Sequence, residues 1–242
     1  QGQLFCRDLP RSYGTKCLKL PLRDSQRQIL SGVLHLLRQF RKLSLVDTAG
    51  FNKGSFLNDA KTVIRLLLSS FKAENALPWL RRTTTAGAPG GRAAVVIALQ
   101  STGASFASDD HGRGGFVNSG GCFDQIHKWY LAARSASLCV DDDDVWESFL
   151  ARLPRHAIDI FIQVLGENLV AEMTGRQFSR PRYGCREARA EGANRVAKED
   201  FAQGRKHILL LSAVGADGID LSIRECDDDR PRFFLLLQAC DQ

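Results

Sequence analysis

The chain has 242 residues, with 33 Lys plus Arg against 27 Asp plus Glu, for a formal net charge of +6. Hydrophobic residues make up 44% and charged residues 25%, a balance that suits a globular protein with a buried core and excludes wholesale disorder. No apolar run approaches the roughly 18 to 20 residues needed to cross a bilayer, and Gln1-Gly2-Gln3-Leu4 is neither a signal peptide nor an initiator Met, so the chain is expected to be soluble and to begin mid-protein.

Near the start, Cys17, Leu18, Leu20 and Leu22 predict a short strand closed at Pro21. From Ser25, a candidate N-cap, the period changes. Ile29, Val33, Leu36, Leu37 and Phe40 recur at three- and four-residue spacing and predict an amphipathic helix, with Arg38, Arg41 and Lys42 suiting its C-terminal dipole. A polar break over 47–55 leads to a second helical run over 56–71, carried by Ala60, Val63, Ile64, Leu67, Leu68 and Phe71. Residues 83–92, with three threonines, Pro89 and three glycines, read as a loop or linker.

Seven apolar residues follow over 93–99, β-branched at their centre, as a strand buried on both faces would be. Residues 103–121 are rich in Gly, Ser and Asp and read as irregular, while 123–133, 145–153 and 157–165 carry helical patterns. The last third alternates more regularly. A short strand over 169–174 ends at Gly175, a helix over 193–203 stops at Gly204, and two further apolar runs occupy 208–211 and 233–237. Apolar strands alternating with helices predict an α/β domain with a mostly parallel sheet.

Several catalytic signatures fail. Ala60-Lys61-Thr62 has the tail of a phosphate-binding loop, but Ser55 and Ala60 stand where its glycines belong, inside a helical pattern. Gly112-Arg113-Gly114-Gly115 follows no strand and lacks the third glycine of a dinucleotide fingerprint. The acids at 141–144 read as a solvated linker or a helix N-terminus. The five histidines show no His-x-x-x-His spacing, and no Gly-x-Ser-x-Gly elbow occurs. The seven cysteines are scattered without a Cys-x-x-Cys pair, as expected of reduced thiols in an intracellular protein, and they offer no zinc framework.

Two features remain. Arg176, Arg180, Arg182, Arg186, Arg189 and Arg195 crowd one stretch, a candidate for salt-sensitive contact with polyanions. The run Ile208-Leu209-Leu210-Leu211 passes into a turn containing Gly215, Gly218 and Asp220. Ligands of open parallel sheets bind beyond the carboxyl ends of the strands, where glycines let N–H groups approach a phosphate and an Asp can accept from a ribose hydroxyl. The same residues equally suit a plain Gly-rich turn between a strand and a helix.

The order from residue 171 onward (strand, Thr174-Gly175-Arg176, basic loop, helix, strand, then Gly218-Ile219-Asp220-Leu221) resembles the C-terminal RecA-like half of superfamily 2 helicases. More narrowly, the chain resembles the helicase C-like domain of the Strawberry notch family. The specific segments are Val95-Val96-Ile97-Ala98-Leu99-Gln100-Ser101-Thr102-Gly103 and Val170-Ala171-Glu172-Met173-Thr174-Gly175-Arg176, supported by Leu153-Pro154, Asp159 and Leu165-Gly166. Residues 17–22, 116–119 and 230–233 are similar more weakly.

The resemblance implies a single three-layer RecA-like domain, truncated at its C-terminal end. Residues 1–92 would lead into it and 93–242 would form its core, with a loop and helix insertion over about 104–168. It implies that Gly215, Gly218 and Asp220 face a nucleotide, and that Ser101, Thr102, Gly103, Thr174, Gly175 and Arg176 face nucleic acid. ATP and Mg2+ would be cofactors only of the complete two-lobed protein. The partners implied are DNA or RNA, an N-terminal RecA-like lobe, and transcription or chromatin factors in the nucleus, with no membrane.

The sequence departs from the family at Ala104, where Glu is usual, and 238–242 do not carry the arginine motif that would follow the last strand. The Walker A Lys and the Asp-Glu box are absent as well, so these residues alone are expected to lack ATPase activity. The alternatives are a non-catalytic nucleic-acid or protein interaction scaffold built on a RecA-like half, and a free-standing small-molecule enzyme that has only its fold class in its favour.

Overall fold

The structure is a computed structural model, and it describes residues 20–43, 53–85, 93–99, 122–135, 143–176, 178–179, 187–212 and 230–237. Helix α1 (Asp24–Leu43) buries Val33, Leu36, Leu37 and Phe40, the stripe expected from their spacing. The expected cap, Ser25, lies inside the first turn. The side-chain oxygen of Gln26 instead accepts the Arg23 N–H at 3.0 Å, which is the returning half of a capping box.

Helix α2 (Lys53–Thr84) is 32 residues long and continues well past the run expected over 56–71, with Pro78 inside it. An interior proline costs about 3 kcal/mol. The helix persists because Ala73, Ala76 and Leu80 are buried in the core that lines the sheet. Thr83 and Thr84, expected in a loop, close the helix and donate their hydroxyls to the carbonyls of Trp79 and Leu80.

The strand expected over 17–22 is not formed at Leu20, Pro21 and Leu22, and Cys17 and Leu18 lie outside the described residues. The Pro21 carbonyl accepts from the Asn75 amide at 2.9 Å, while Leu20 and Leu22 pack on two different cores. The segment is thus tied to α2 and not to a sheet.

Strand β1 (Ala94–Leu99) is followed by α3 (Cys122–Ser135), α4 (Asp143–Ala151) and α5 (Ala157–Leu165). Then come β2 (Val170–Met173), a two-residue antiparallel pair β3 (Phe178–Ser179) and β4 (Glu187–Ala188), α6 (Ala193–Ala202), β5 (Ile208–Ser212) and β6 (Arg232–Leu237). The four longer strands form one all-parallel sheet in the order β2-β5-β1-β6. This is the α/β architecture expected, and the strand pattern is consistent with a RecA-like domain.

Strand alternation sorts the side chains by face. Val95, Ile97, Leu99, Val170, Ile208, Leu210, Leu235 and Leu237 pack with the C-terminal half of α2 and with Ile158 and Phe161 of α5. Ala94, Val96, Ala171, Met173, Leu209 and Leu211 pack with Ala197 and Phe201 of α6 on the other face. Helices therefore cover both faces, as the apolar runs required. A separate helical core joins α1, the N-terminal half of α2, α3 and α4, where the rings of Tyr130 and Trp146 stack at 4.3 Å.

Within that helical core, a Cβ built on Gly32 of α1 would lie 2.6 Å from Cε2 of Phe149 on α4. Gly32→Ala should therefore lose about 1 kcal/mol, because overpacking outweighs the gain in helix propensity. Urea denaturation checks this, and adding Phe149→Leu should make the alanine nearly neutral relative to Phe149→Leu alone.

Candidate functional site

Because all four strands run the same way, their carboxyl ends open onto one rim. Leu99 stands beside Ser212 and Leu237, and Met173 beside Leu211. The chain leaving β1 toward Ser101, Thr102 and Gly103, the turn after β2, and the chain leaving β5 toward Gly215, Gly218 and Asp220 all start from this edge. Residues 101–103 and 213–220 themselves lie outside the described residues. Thr174, Gly175 and Arg176 are described.

At the end of β2 the alternation that buries Val170 also carries Glu172 and Thr174 to the α5 face. The Arg176 guanidinium meets Glu172 with two prongs, Nε to Oε1 and Nη2 to Oε2, each at 2.9 Å. Its Nη1 reaches Asp159 Oδ1 at 2.8 Å, in the first turn of α5. These side chains are 10% (Arg176), 7% (Asp159) and 8% (Glu172) exposed, so the cluster is a buried one. The Thr174 hydroxyl donates to Glu172 and accepts from the Arg176 N–H. The His156 ring caps α5 by accepting the Ile158 N–H at 3.2 Å, which fixes the turn that carries Asp159.

A second arginine closes the cluster. Arg189 donates to the carbonyls of Glu172, Thr174 and Arg176 and to the side chain of Asn194, and Asn194 itself donates to the Thr174 carbonyl. Burial by itself would raise the Glu172 carboxyl. Hydrogen bonds from Arg176 and Thr174 and the charges of both arginines more than offset burial and hold it below its ordinary value. Burial likewise opposes the charge on Arg176, and the bonds and charges of Glu172 and Asp159 drive its affinity for a proton above the ordinary range.

The basic stretch therefore divides. Arg176 and Arg189 turn inward onto protein acceptors, Arg195 pairs with Glu199 in the exposed part of α6, and Arg180, Arg182 and Arg186 lie outside the described residues. Of the acids over 141–144, Asp143 and Asp144 open α4, the helix-terminus reading. Among the described residues no group of His, Cys, Asp and Glu could hold a metal ion, and no helix is long and apolar enough to cross a membrane.

Sequence reasoning singled out Thr174, Gly175 and Arg176 but not the network around them. A readable signal existed for Glu172, a charge in an otherwise apolar strand with an arginine four residues on. Arg189 stands out in the sequence only as one of the clustered arginines suited to polyanions. Nothing local marks its inward role or that of Asn194, and both residues come from beyond the β3–β4 pair.

An all-parallel sheet with helices on both faces makes this an α/β domain consistent with the RecA-like class. Residues 156–242 match the family described as the C-terminal domain on Strawberry notch homologue. Over these residues the chain is similar to the helicase C-like domain of that family. Neither the curated proteins nor the solved structures compared with the chain give a match. The match begins at the His156 cap and includes α5, β2, α6, β5 and β6. β1 lies before it in sequence but sits between β5 and β6 in the sheet.

Two results should follow from the cluster. Arg176→Met removes the guanidinium that two buried carboxylates share, leaving Glu172 only Thr174 and the more distant Arg189. It should cost about 3–5 kcal/mol in urea denaturation, with Arg176→Lys recovering only part because an ammonium lacks the planar fork. The lowered Glu172 carboxyl contributes stability that is present above its ordinary value of 4.5 and lost as pH falls through its lower folded value. Stability measured against pH should therefore fall more steeply below about 4.5 in the wild type than in Glu172→Gln.

Proposed function

We propose that this chain supplies the helicase C-like lobe of a Strawberry notch-type nuclear regulator of transcription and chromatin, and that in the complete protein its carboxyl rim helps bind ATP with Mg2+ and a strand of DNA or RNA. The observation that carries the reading is the common rim, since three segments far apart in sequence leave neighbouring parallel strands at the same edge. The family match over 156–242 supports the same assignment.

In this reading Gly215 and Gly218 let main-chain N–H groups approach phosphate, and Asp220 accepts from a ribose hydroxyl. Ser101 and Thr102 offer hydroxyls, and Gly103 and Gly175 offer close main-chain approach, to a phosphodiester backbone. Phosphoryl transfer needs a nucleotide held between two lobes with charge stabilisation from both, so this lobe contributes half of a cleft.

Two measurements test it. Asp220→Ala should weaken ATP binding when an N-terminal RecA-like lobe is supplied. An equal loss of stability or binding in the chain by itself would mark Asp220 as structural and favour a scaffold role. Arg180→Gln with Arg182→Gln should weaken oligonucleotide binding and lower the salt slope of log K by about two, one for each phosphate that is no longer neutralised. An unchanged slope would remove these arginines from the nucleic-acid track.

A further inference from the structure

Arg189 stands in an unusual relation to β2. Its Nη2 donates to the Glu172 carbonyl at 2.8 Å, and its Nη1 to the Thr174 carbonyl at 3.0 Å and the Arg176 carbonyl at 3.1 Å. These are alternate residues. The Leu169 carbonyl points toward β5, where it accepts the Ile208 N–H at 2.9 Å. Strand alternation therefore turns the Glu172 and Thr174 carbonyls to the opposite edge, where β2 has no strand neighbour among the described residues. One guanidinium takes the place of a pairing strand there. Asn194, in the first turn of α6, accepts from Arg189 at 2.9 Å and donates to the Thr174 carbonyl at 3.1 Å, tying the same turn to the helix.

The consequence falls on the turn at the rim. The Thr174 side chain is buried and bonded to Glu172 and to the Arg176 N–H. The Arg176 guanidinium is held by Glu172 and Asp159. Between them Gly175 is exposed. The charged group that looks like a phosphate ligand in the sequence faces inward, and the exposed part of the turn is Gly175.

We propose that Arg189, with Asn194, is the positioning residue of the Thr174-Gly175-Arg176 turn, fixing it so that a nucleic-acid phosphate is met by the Gly175 main chain and not by the Arg176 guanidinium. This rests on the reading of the rim as a nucleic-acid track. A contact of this kind contributes a hydrogen bond and shape, and little counterion release, whereas a side-chain arginine on phosphate would contribute to the salt slope.

The test uses the full chain and a short single-stranded poly(U) RNA, with affinity measured by fluorescence anisotropy over a salt series and Gly175 followed by its amide NMR signal. The expected result is a shift of the Gly175 amide on titration. Arg189→Gln and Asn194→Ala should each weaken binding roughly tenfold, the equivalent of one ordinary hydrogen bond, with the salt slope unchanged and no rescue by Arg189→Lys. Asn194→Ala keeps the arginine and serves if Arg189→Gln does not fold.

A slope lowered by about one in Arg189→Gln would mean that this arginine itself binds phosphate and overturns the proposal. Unchanged affinity in both variants overturns it as well. Wild-type binding that leaves the Gly175 amide unmoved overturns it while leaving the rim reading intact. A wild-type chain that binds neither this RNA nor a single-stranded oligo(dT) of the same length under any salt condition removes the rim reading and this proposal together.

Discussion

A carboxylate in the buried face of an edge strand is the constraint around which this domain is organised. Glu172 takes a position that β2 would ordinarily fill with a branched apolar side chain, and burying its charge alone would cost several kcal/mol. The chain answers with arginines from two directions. Arg176 comes back from the turn that follows the strand, and Arg189 comes from the segment that enters α6. Because Arg176 also grips Asp159, the cluster ties the β2 edge to the first turn of α5, while Arg189 and Asn194 tie it to α6. Helices on opposite faces of the sheet are thus coupled through one polar knot at its carboxyl edge.

That coupling has a geometric consequence. Apolar packing fixes how far helices stand from a sheet, but it is tolerant of small sliding and repacking. Hydrogen bonds to planar guanidinium groups are directional, and three carbonyls sharing one arginine leave little freedom along the strand. The end of β2 is consequently held in place more tightly than hydrophobic contact alone would hold it. In the function proposed above, such a fixed end would matter, since a contact made by backbone cannot adjust by changing rotamer.

Much of the fold was legible because burial and periodicity coincide. The apolar runs over 93–99, 208–211 and 233–237 became β1, β5 and β6, and the three-and-four spacing after Ser25 became α1. The failures share a cause, which is long-range contact overriding a local signal. α2 runs through Pro78 because its C-terminal half is buried against the sheet. Leu20 to Leu22 form no strand because a side chain on α2 takes the Pro21 carbonyl. At the rim, the residue types were visible but their orientation was not. Arg176 in a basic stretch looks like a free cation, and only the placement of Asp159, Glu172 and Arg189 around it reveals which way it points.

The same reasoning bears on how β1 relates to the matched segment. A parallel strand held between β5 and β6 supplies hydrogen bonds on both of its edges and side chains to both faces, with Val95 and Ile97 in one core and Ala94 and Val96 in the other. Without it, β5 and β6 would each expose an unpaired edge, and the two segments would lose their common rim. The segment 156–242, which is similar to a helicase C-like domain, therefore needs β1 and the second half of α2 to close its core. The Ser101-Thr102-Gly103 segment follows directly from a strand that the matched residues cannot do without.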